Sequence, residues 1–513
     1  VKKGFNKKVI LMILDGFGIA PASPHNAVMN AHTPNYDKLE REYPNVRLKS
    51  DGLSVGLPEG QFGTSEVNHL VIGSGKIIFQ DLPRINKAIQ SGEFLDNSVL
   101  NKSVEHAEKN NSSLHLMGIC SDGGVHSHLN HLYSIFDLLE KRNFANNVYI
   151  HVFTDGRDTA PISAESYFKQ METEIAKHRN LKISIASVQG RFFLDRDRDW
   201  SKTEKAVDLV VKGEGKKYSD WQAILNFEYN AHNKDEFFNQ YLLNENGLIK
   251  KDDSLIFFHY RQDRMYQIIK GIRGLKLQNL LITTFVQGSE EFTDVLVAFP
   301  RLIVKDTLAE TISKAGKTQL HITETEKFAH LTFFLNGEKE KEFPGETWKM
   351  IESNRFVKPN YNFEPTMKIF DITKEVINAV NEDKYDFIAI NFCSPDMVGH
   401  TGNYNAVVTG IEAIDFCIGK IHEALQDKFD KYAWIITSDH GNADIMWDEV
   451  NNQPHTQHTT SPVPFILVSD IKCRLDRKES LQDVAPTILE LMSIEKPSVM
   501  TGESLVLLEE DKK

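Results

Sequence analysis

Three aspartates and three histidines stand next to apolar, β-branched runs, and together they offer the chemistry of a divalent-metal site. Asp15 follows VILMIL (9–14) in LDGFG, and Asp396 and His400 follow FIAIN (387–391) in NFCSPDMVGH. Asp439 and His440 close WIITS (434–438) in SDHGN, and His458 lies in QHTTSPVP just before PFILV (464–468). In open α/β sheets functional groups gather beyond the carboxyl ends of strands. The i, i+4 spacing of Asp396 and His400 brings both to one face of a helical turn. Mixed carboxylate and imidazole donors suit Mn²⁺, Zn²⁺ or Fe²⁺ better than all-oxygen Ca²⁺ or thiolate structural zinc. Six such groups are enough for two ions that share a substrate oxygen or a nucleophile. Taken singly, an Asp or His at a strand end is more often a cap or turn residue, so the weight rests on their joint occurrence.

The candidate nucleophile is Ser65 in FGTSEVNHLVIGSG (62–75). A serine hydroxyl needs a base or a metal to favour its alkoxide near neutral pH. Locally, Ser65 also fits a helix N-cap with Glu66 in the first turn. GTSEV lacks the second glycine of a G-x-S-x-G elbow, GSGK (73–76) lacks the leading glycine of a P-loop, and GVHSH (124–128) offers only two imidazoles. Between these motifs lie Arg157 and Asp158 in FTDGRDTAP, Arg191 and Arg196 in QGRFFLDRDRDW, and Arg261 and Arg264 in FFHYRQDR. Guanidinium forks match carboxylate and phosphate oxygens, so several at strand ends suggest a small doubly anionic ligand. Arg198 reads as a solvated surface charge.

The elements that must hold these groups alternate along the chain. Strand-like runs at 9–14, 115–119, 148–153, 183–188, 255–258, 280–285, 319–322, 387–391, 434–438 and 464–468 are separated by amphipathic stretches at 33–43, 129–142, 161–178, 264–273, 371–382, 405–426 and 481–492. Such alternation predicts an α/β protein with parallel sheets covered on both faces. The Asp/His motifs fall before 76 and after 390, whereas the Arg motifs fill 155–265, as if one domain were inserted in another; junctions are expected in 72–79 and 298–306. At 513 residues the chain allows about two to four domains. With 59 Lys and Arg against 72 Asp and Glu, the net charge of −13 argues against nucleic-acid and anionic-membrane partners. Four scattered cysteines without a C-x-x-C pair read as reduced thiols, and the apolar run ending at Asp15 is too short for a signal-peptide core or a membrane span. A cytoplasmic, untargeted chain is expected.

The ordered motifs LDGFG, SEVNHL, SDGGVHSH, FTDGRDT, YRQDR, ITETEKFAH, PDMVGHTG, SDHGNAD and HTTSPVPF resemble the cofactor-independent phosphoglycerate mutases, relatives of alkaline phosphatase, over nearly the whole chain. The resemblance implies a discontinuous phosphatase-like domain (1–76 and 304–513) and an inserted transferase-like domain (77–303), with the active site in a cleft between them. It implies interconversion of 3-phosphoglycerate and 2-phosphoglycerate by a monomer without 2,3-bisphosphoglycerate. One metal would be held by Asp396, His400 and His458, the other by Asp15, Ser65, Asp439 and His440. The ion would be Mn²⁺, with Mg²⁺ or Co²⁺ as alternatives. His126, Arg157, Asp158, Arg191, Arg196, Arg261, Arg264 and Lys327 would bind substrate, with Ser65 as nucleophile and Asp158 as acid/base.

Three departures from the family pattern stand out: Thr64 and Asn68 flank Ser65 and Glu66–Val67 where Asn and Gly are usual, the segment after Arg191 is one residue short with Asp199 before Trp200, and Ser394 replaces Asn. The rivals are a phosphopentomutase, a metal-dependent phosphatase or phosphodiesterase, and a metal-containing binding protein without catalysis. The histidine-based mutases are excluded because no Arg-His-Gly occurs. Since His400, His440 and His458 must be neutral to ligate, activity is expected to fall on acidification and to be partly restored by excess Mn²⁺.

Overall fold

The computed structural model describes residues 5–476 and 480–508. The chain divides into two compact units, Val1–Gln80 with Ile303–Lys513 and Asp81–Leu302. The discontinuous unit is built on a seven-stranded sheet in the order Glu346–Ile351, Gln319–Glu324, Phe387–Phe392, Lys8–Leu14, Tyr432–Thr437, Val463–Val468, Asn45–Leu48. The unbroken apolar run after Lys8 has a physical cause: alternate side chains point to opposite faces of a strand, and here both faces are covered. Ile10, Met12 and Leu14 pack with Ile372 and Val376 of helix Ile369–Asn381 and with Ile411 and Ile414 of helix Tyr404–Leu425. Val9, Leu11 and Ile13 pack on the other side with Val71 and Ile72, Ile312 and Leu489.

The inserted unit carries an eight-stranded sheet in the order Leu296–Val297, Leu281–Thr284, Ser254–Phe257, Leu114–Ile119, Asn147–Thr154, Lys182–Gly190, Tyr241–Leu242, Lys216–Lys217. Every run expected to be a strand is one. Within these two sheets the all-parallel expectation needs correction at three pairings: Tyr432–Thr437 with Val463–Val468, Val463–Val468 with Asn45–Leu48, and Lys182–Gly190 with Tyr241–Leu242 are antiparallel. Helix Ser65–Ser74 escapes a periodicity reading because eight of its ten residues are buried, which leaves no polar stripe.

Several histidines of the inserted unit are sealed in neutral form. His259 Nε2 accepts the Ile119 amide at 2.9 Å, so protonation would break that bond. Burial, with neighbouring positive charge, holds His259 and His151 well below the usual imidazole range, and burial brings His131 to about 3. In the unfolded chain each titrates near about 6.5. Below that pH the unfolded state takes up protons that the folded state refuses, so stability is lost as pH falls below about 6.5, by about 2 kcal/mol at pH 5 for His131. The unfolding midpoint, followed by tryptophan fluorescence, is therefore expected to drop between pH 7 and pH 5; an unchanged midpoint would contradict this account.

Candidate active site

Four neighbouring parallel strands of the seven-stranded sheet, Gln319–Glu324, Phe387–Phe392, Lys8–Leu14 and Tyr432–Thr437, end at one edge. Just beyond them come Lys327 on the turn Thr325–Lys327, Asp396 on the short helix Ser394–Gly399, Asp15, and Asp439 with His440. Val463–Val468 runs the other way, with Phe465 opposite Thr437, so the segment preceding it delivers His458 to the same edge. Helix Ser65–Ser74 is capped by Thr64, whose side chain accepts the Val67 amide at 3.4 Å. Ser65 is thus the first helical residue and not the cap, and its hydroxyl is left for other partners.

The first group is Asp396, His400 and His458. His400 Nε2 and His458 Nε2 each lie 3.2 Å from Asp396 Oδ1 and 3.2 Å from one another. Their Nδ1 atoms face the carbonyls of Thr456 and Gly63, both at 2.8 Å, and a carbonyl can only accept. The hydrogens are therefore spent on Nδ1, and two imidazole lone pairs and a carboxylate oxygen converge on one point. Such an all-acceptor arrangement is what a cation needs, with carbonyls fixing the ring orientation from behind.

The second group is Asp15, Asp439 and His440, whose donor atoms also lie close enough to share an ion. His440 Nε2 is 3.2 Å from Asp439 Oδ2, 3.7 Å from Asp15 Oδ1 and 2.9 Å from Ser65 Oγ. Lys327 Nζ donates to Ser65 Oγ at 2.6 Å and reaches Asp396 Oδ2 and Asp15 Oδ1 at 2.8 Å. The stacked rings of His440 and His458, 3.7 Å apart, join the two groups.

Three buried carboxylates thus face one buried ammonium. Burial pushes Lys327 down, but Asp15, Asp396 and Asp439 raise it well above its usual range, so it stays charged. Burial and the Asp15 carboxylate hold Asp439 well above the usual carboxylate range. Asp396 is pulled well below that range, because Lys327 and the two histidines outweigh burial. Burial, with help from His458, lowers His440 to about 3 and keeps the ring neutral, and Nδ1 faces the Gly441 carbonyl at 3.2 Å, which leaves Nε2 as the acceptor. Among the described residues Asp439 Oδ2 has no hydrogen-bond partner. Excess buried negative charge, an orphaned carboxylate oxygen and converging lone pairs fit divalent cations at both groups.

In the inserted unit, Arg191 is 1% exposed and donates to Asp155 Oδ1 at 2.6 Å and Asp158 Oδ2 at 2.5 Å. His126 lies 3.3 Å from Asp263 Oδ1 and 3.9 Å from Asp158 Oδ2. Arg196 donates to Asp263 Oδ2 at 2.8 Å, Arg261 Nε lies 3.3 Å from that oxygen, and Arg264 donates to the Leu194 carbonyl at 2.8 Å. Arg157 turns toward Glu236, at 3.4 Å. Burial, and after it the charges of Arg191 and Arg196, lower Arg264 to about 10. An added anion would relieve that repulsion. Arg198 is exposed, as expected for a surface charge.

Sequence reasoning passed over the residues that orient these groups. Asp155 fixes the Arg157–Asp158 turn by accepting both backbone amides, and Asp263 gathers Arg196, Arg261 and His126. Asn391 donates to Asp15 Oδ2 and Asn442 to Asp396 Oδ1, both at 2.8 Å. Asn68 spends both amide hydrogens, on the Asp439 carbonyl at 2.6 Å and the Ser50 carbonyl at 2.9 Å, tying the Ser65 helix to a metal-site loop. All lie inside or beside the quoted motifs, but an Asn or Asp at a strand end carries no local mark of such a role.

A Cβ on Gly63 would sit 2.2 Å from the Ser50 carbonyl oxygen and 2.3 Å from Asn68 Nδ2, and the Gly63 carbonyl also holds His458. Gly63→Ala is therefore expected to weaken divalent-ion binding by about 10- to 100-fold, the usual cost of disturbing such a supporting shell. Titration calorimetry with Mn²⁺ would show it; wild-type affinity in the variant would refute this role for Gly63.

Among the described residues no helix is long and apolar enough to cross a membrane. The metalloenzyme superfamily model matches residues 7–496. The chain is 44% identical to the 2,3-bisphosphoglycerate-independent phosphoglycerate mutase of Clostridium beijerinckii, over 98% of this chain and 99% of that protein. It is 41% identical to the enzyme of the same name from Moorella thermoacetica, at the same coverage. Among solved structures, a Leishmania mexicana phosphoglycerate mutase crystallised at low cobalt concentration is 28% identical, covers 99% of both chains and superposes with a TM-score of 0.56.

Proposed function

Because the chain belongs to the metalloenzyme superfamily and, within it, to the isomerases called 2,3-bisphosphoglycerate-independent phosphoglycerate mutases, we propose that it interconverts 3-phosphoglycerate and 2-phosphoglycerate through a phosphoserine at Ser65, using two divalent ions. What carries this reading is the position of Ser65 Oγ, 2.6 Å from Lys327 Nζ and 2.9 Å from His440 Nε2 at a helix N-terminus. One ion would be held by Asp396, His400 and His458, the other by Asp15, Ser65, Asp439 and His440. When bound, these ions would polarise the phosphoryl group and favour the Ser65 alkoxide.

Ser65 Oγ attacks phosphorus, the ester bond to the substrate oxygen breaks, and a Ser65 phosphate and free glycerate result. The Lys327 ammonium stabilises charge on the attacking oxygen and on the phosphoryl oxygens, as positioned cations do in phosphoryl transfer. Arg157, Arg191, Arg196, Arg261, Arg264 and His126 hold the anionic glycerate, and Asp158 exchanges the hydroxyl proton as acid or base. Attack by the 2-hydroxyl on the Ser65 phosphate then gives 2-phosphoglycerate and restores the serine. We further propose a role in glycolysis and gluconeogenesis as a cytoplasmic monomer, with Mn²⁺ as the ion and Mg²⁺ or Co²⁺ as alternatives.

The decisive assay supplies metal-loaded protein with 3-phosphoglycerate and no bisphosphoglycerate, and follows both 2-phosphoglycerate and free phosphate. Phosphate release in excess of 2-phosphoglycerate would favour a phosphatase. Arg261, half exposed and paired with Asp263, can be removed without unbalancing the buried charges. Arg261→Gln should raise KM about tenfold with a smaller change in kcat, the signature of lost substrate binding; an unaltered KM would remove Arg261 from the substrate site.

A further inference from the structure

The sheet of the inserted unit has chemistry at its other end too. Strands Leu114–Ile119, Asn147–Thr154 and Lys182–Gly190 are parallel, and their carboxyl ends lead to Ser121, Asp155 and Arg191. Their amino ends, about 25 Å away at the usual rise per residue, border an open depression of about 610 Å³. Its walls are rich in donors: Lys182, Lys250, Asn147, Asn246, Ser113 and Ser184. No carboxylate side chain lines it. Among the described residues neither lysine has an ion-pair partner, and the amides of Asn147 and Asn246 have no side-chain hydrogen bond.

The nearest acid on that side is already committed. Asp253 accepts the Ser113 amide at 2.9 Å, the Lys250 amide at 2.7 Å and faces His115 Nε2 at 3.1 Å. Another wall is held in place by packing. Asn244 accepts the Asn246 amide at 3.0 Å and donates to Ser184 Oγ at 3.2 Å, which leaves the serine hydrogen free to donate elsewhere. Gly247 lets this turn press onto the strands below, since a Cβ there would lie 2.5 Å from Ala186 Cβ and 2.8 Å from the Tyr149 ring. An open depression flanked by two exposed lysines without ion-pair partners among the described residues, and by several unspent neutral donors, stands out in a chain of net charge −13.

We infer that this open depression is a second anion site, at the end of the sheet opposite Arg191, and that it binds a small oxyanion with two or more charges, a phosphate ester or a polycarboxylate. Unspent donors match an acceptor-rich ligand, and the opening to solvent leaves room for a body larger than the anion itself. The inference does not rest on the mutase reading.

The test uses the metal-loaded full chain. Inorganic phosphate and, separately, succinate are titrated by calorimetry into wild type and into Lys182→Gln/Lys250→Gln, and wild-type crystals are soaked in each. Wild type should show an additional class of anion binding that weakens about tenfold or more in the double variant. Turnover of 3-phosphoglycerate in anion-free buffer and the melting temperature should stay unchanged, because neither lysine belongs to the reaction site. Density for phosphate against both lysines, without succinate, would assign a phosphate ester; the reverse would assign a polycarboxylate. Identical anion binding in the two proteins, or soaked wild-type crystals with neither anion touching Lys182 and Lys250, would overturn the proposal. The crystal arm needs no variant, so it decides the matter even if the double substitution folds poorly.

Discussion

Ser65→Ala is expected to lower the rate of isomerisation by about 10⁴-fold or more while leaving the fold intact. Without the hydroxyl there is no oxygen to carry the phosphoryl group, and losing a nucleophile costs more than losing a supporting contact. The side chain contributes little to stability. Among the described residues its oxygen meets only Lys327 and His440, and Thr64 still caps the helix. Lys327 keeps Asp15 and Asp396 as partners at 2.8 Å, so the substitution strands no buried charge. Loss of a hydrogen bond to a retained partner amounts to about 1–2 kcal/mol. Formation of 2-phosphoglycerate and incorporation of radiolabelled phosphate into protein should vanish together, with circular dichroism unchanged. Wild-type turnover in Ser65→Ala would end the phosphoserine mechanism.

Removal of divalent ions should be nearly as severe, with a loss of about 10³-fold or more on chelation and recovery on adding metal back. Three carboxylates with one ammonium, all buried, leave negative charge that the metal-free chain meets with protons: Asp439 is held well above its usual range, and Asp396 pulls His400 up against the effect of burial. A proton neutralises charge but cannot polarise a phosphoryl oxygen. Binding to the folded state alone also stabilises it, by about 2.7 kcal/mol when free metal is a hundredfold above Kd, so the melting temperature should climb with metal concentration. The two groups can be separated by elemental analysis. Asp396→Asn and Asp439→Asn should each reduce bound metal from about two ions per chain to about one. Full activity after exhaustive chelation would refute the proposal, and comparing Mn²⁺, Mg²⁺ and Co²⁺ in the recovery would identify the working ion.

Much of this arrangement was legible in one dimension because ligand chemistry depends on residue type and strand ends are marked by apolar runs. Asp15, Asp396 and Asp439 could be singled out for that reason, and the i, i+4 spacing of Asp396 and His400 is realised as a 3.2 Å contact. Ser65 was ambiguous, because a serine before a helical run fits a cap as well as a nucleophile. Only the folded chain gives the cap to Thr64 and turns Ser65 toward Lys327.

By itself the sequence determined the α/β class, the strands and the family. The tertiary structure decided which strands are neighbours, and with them which side chains meet. Val463–Val468 had to run antiparallel for His458 to arrive beside Asp396, and nothing in PFILV announces its direction. Asn68 had to reach the carbonyls of Ser50 and Asp439, residues 18 and 371 positions away. Periodicity and residue type are local properties of a chain, whereas strand order, direction and the pairing of buried polar groups are settled by contacts between distant segments once water is excluded.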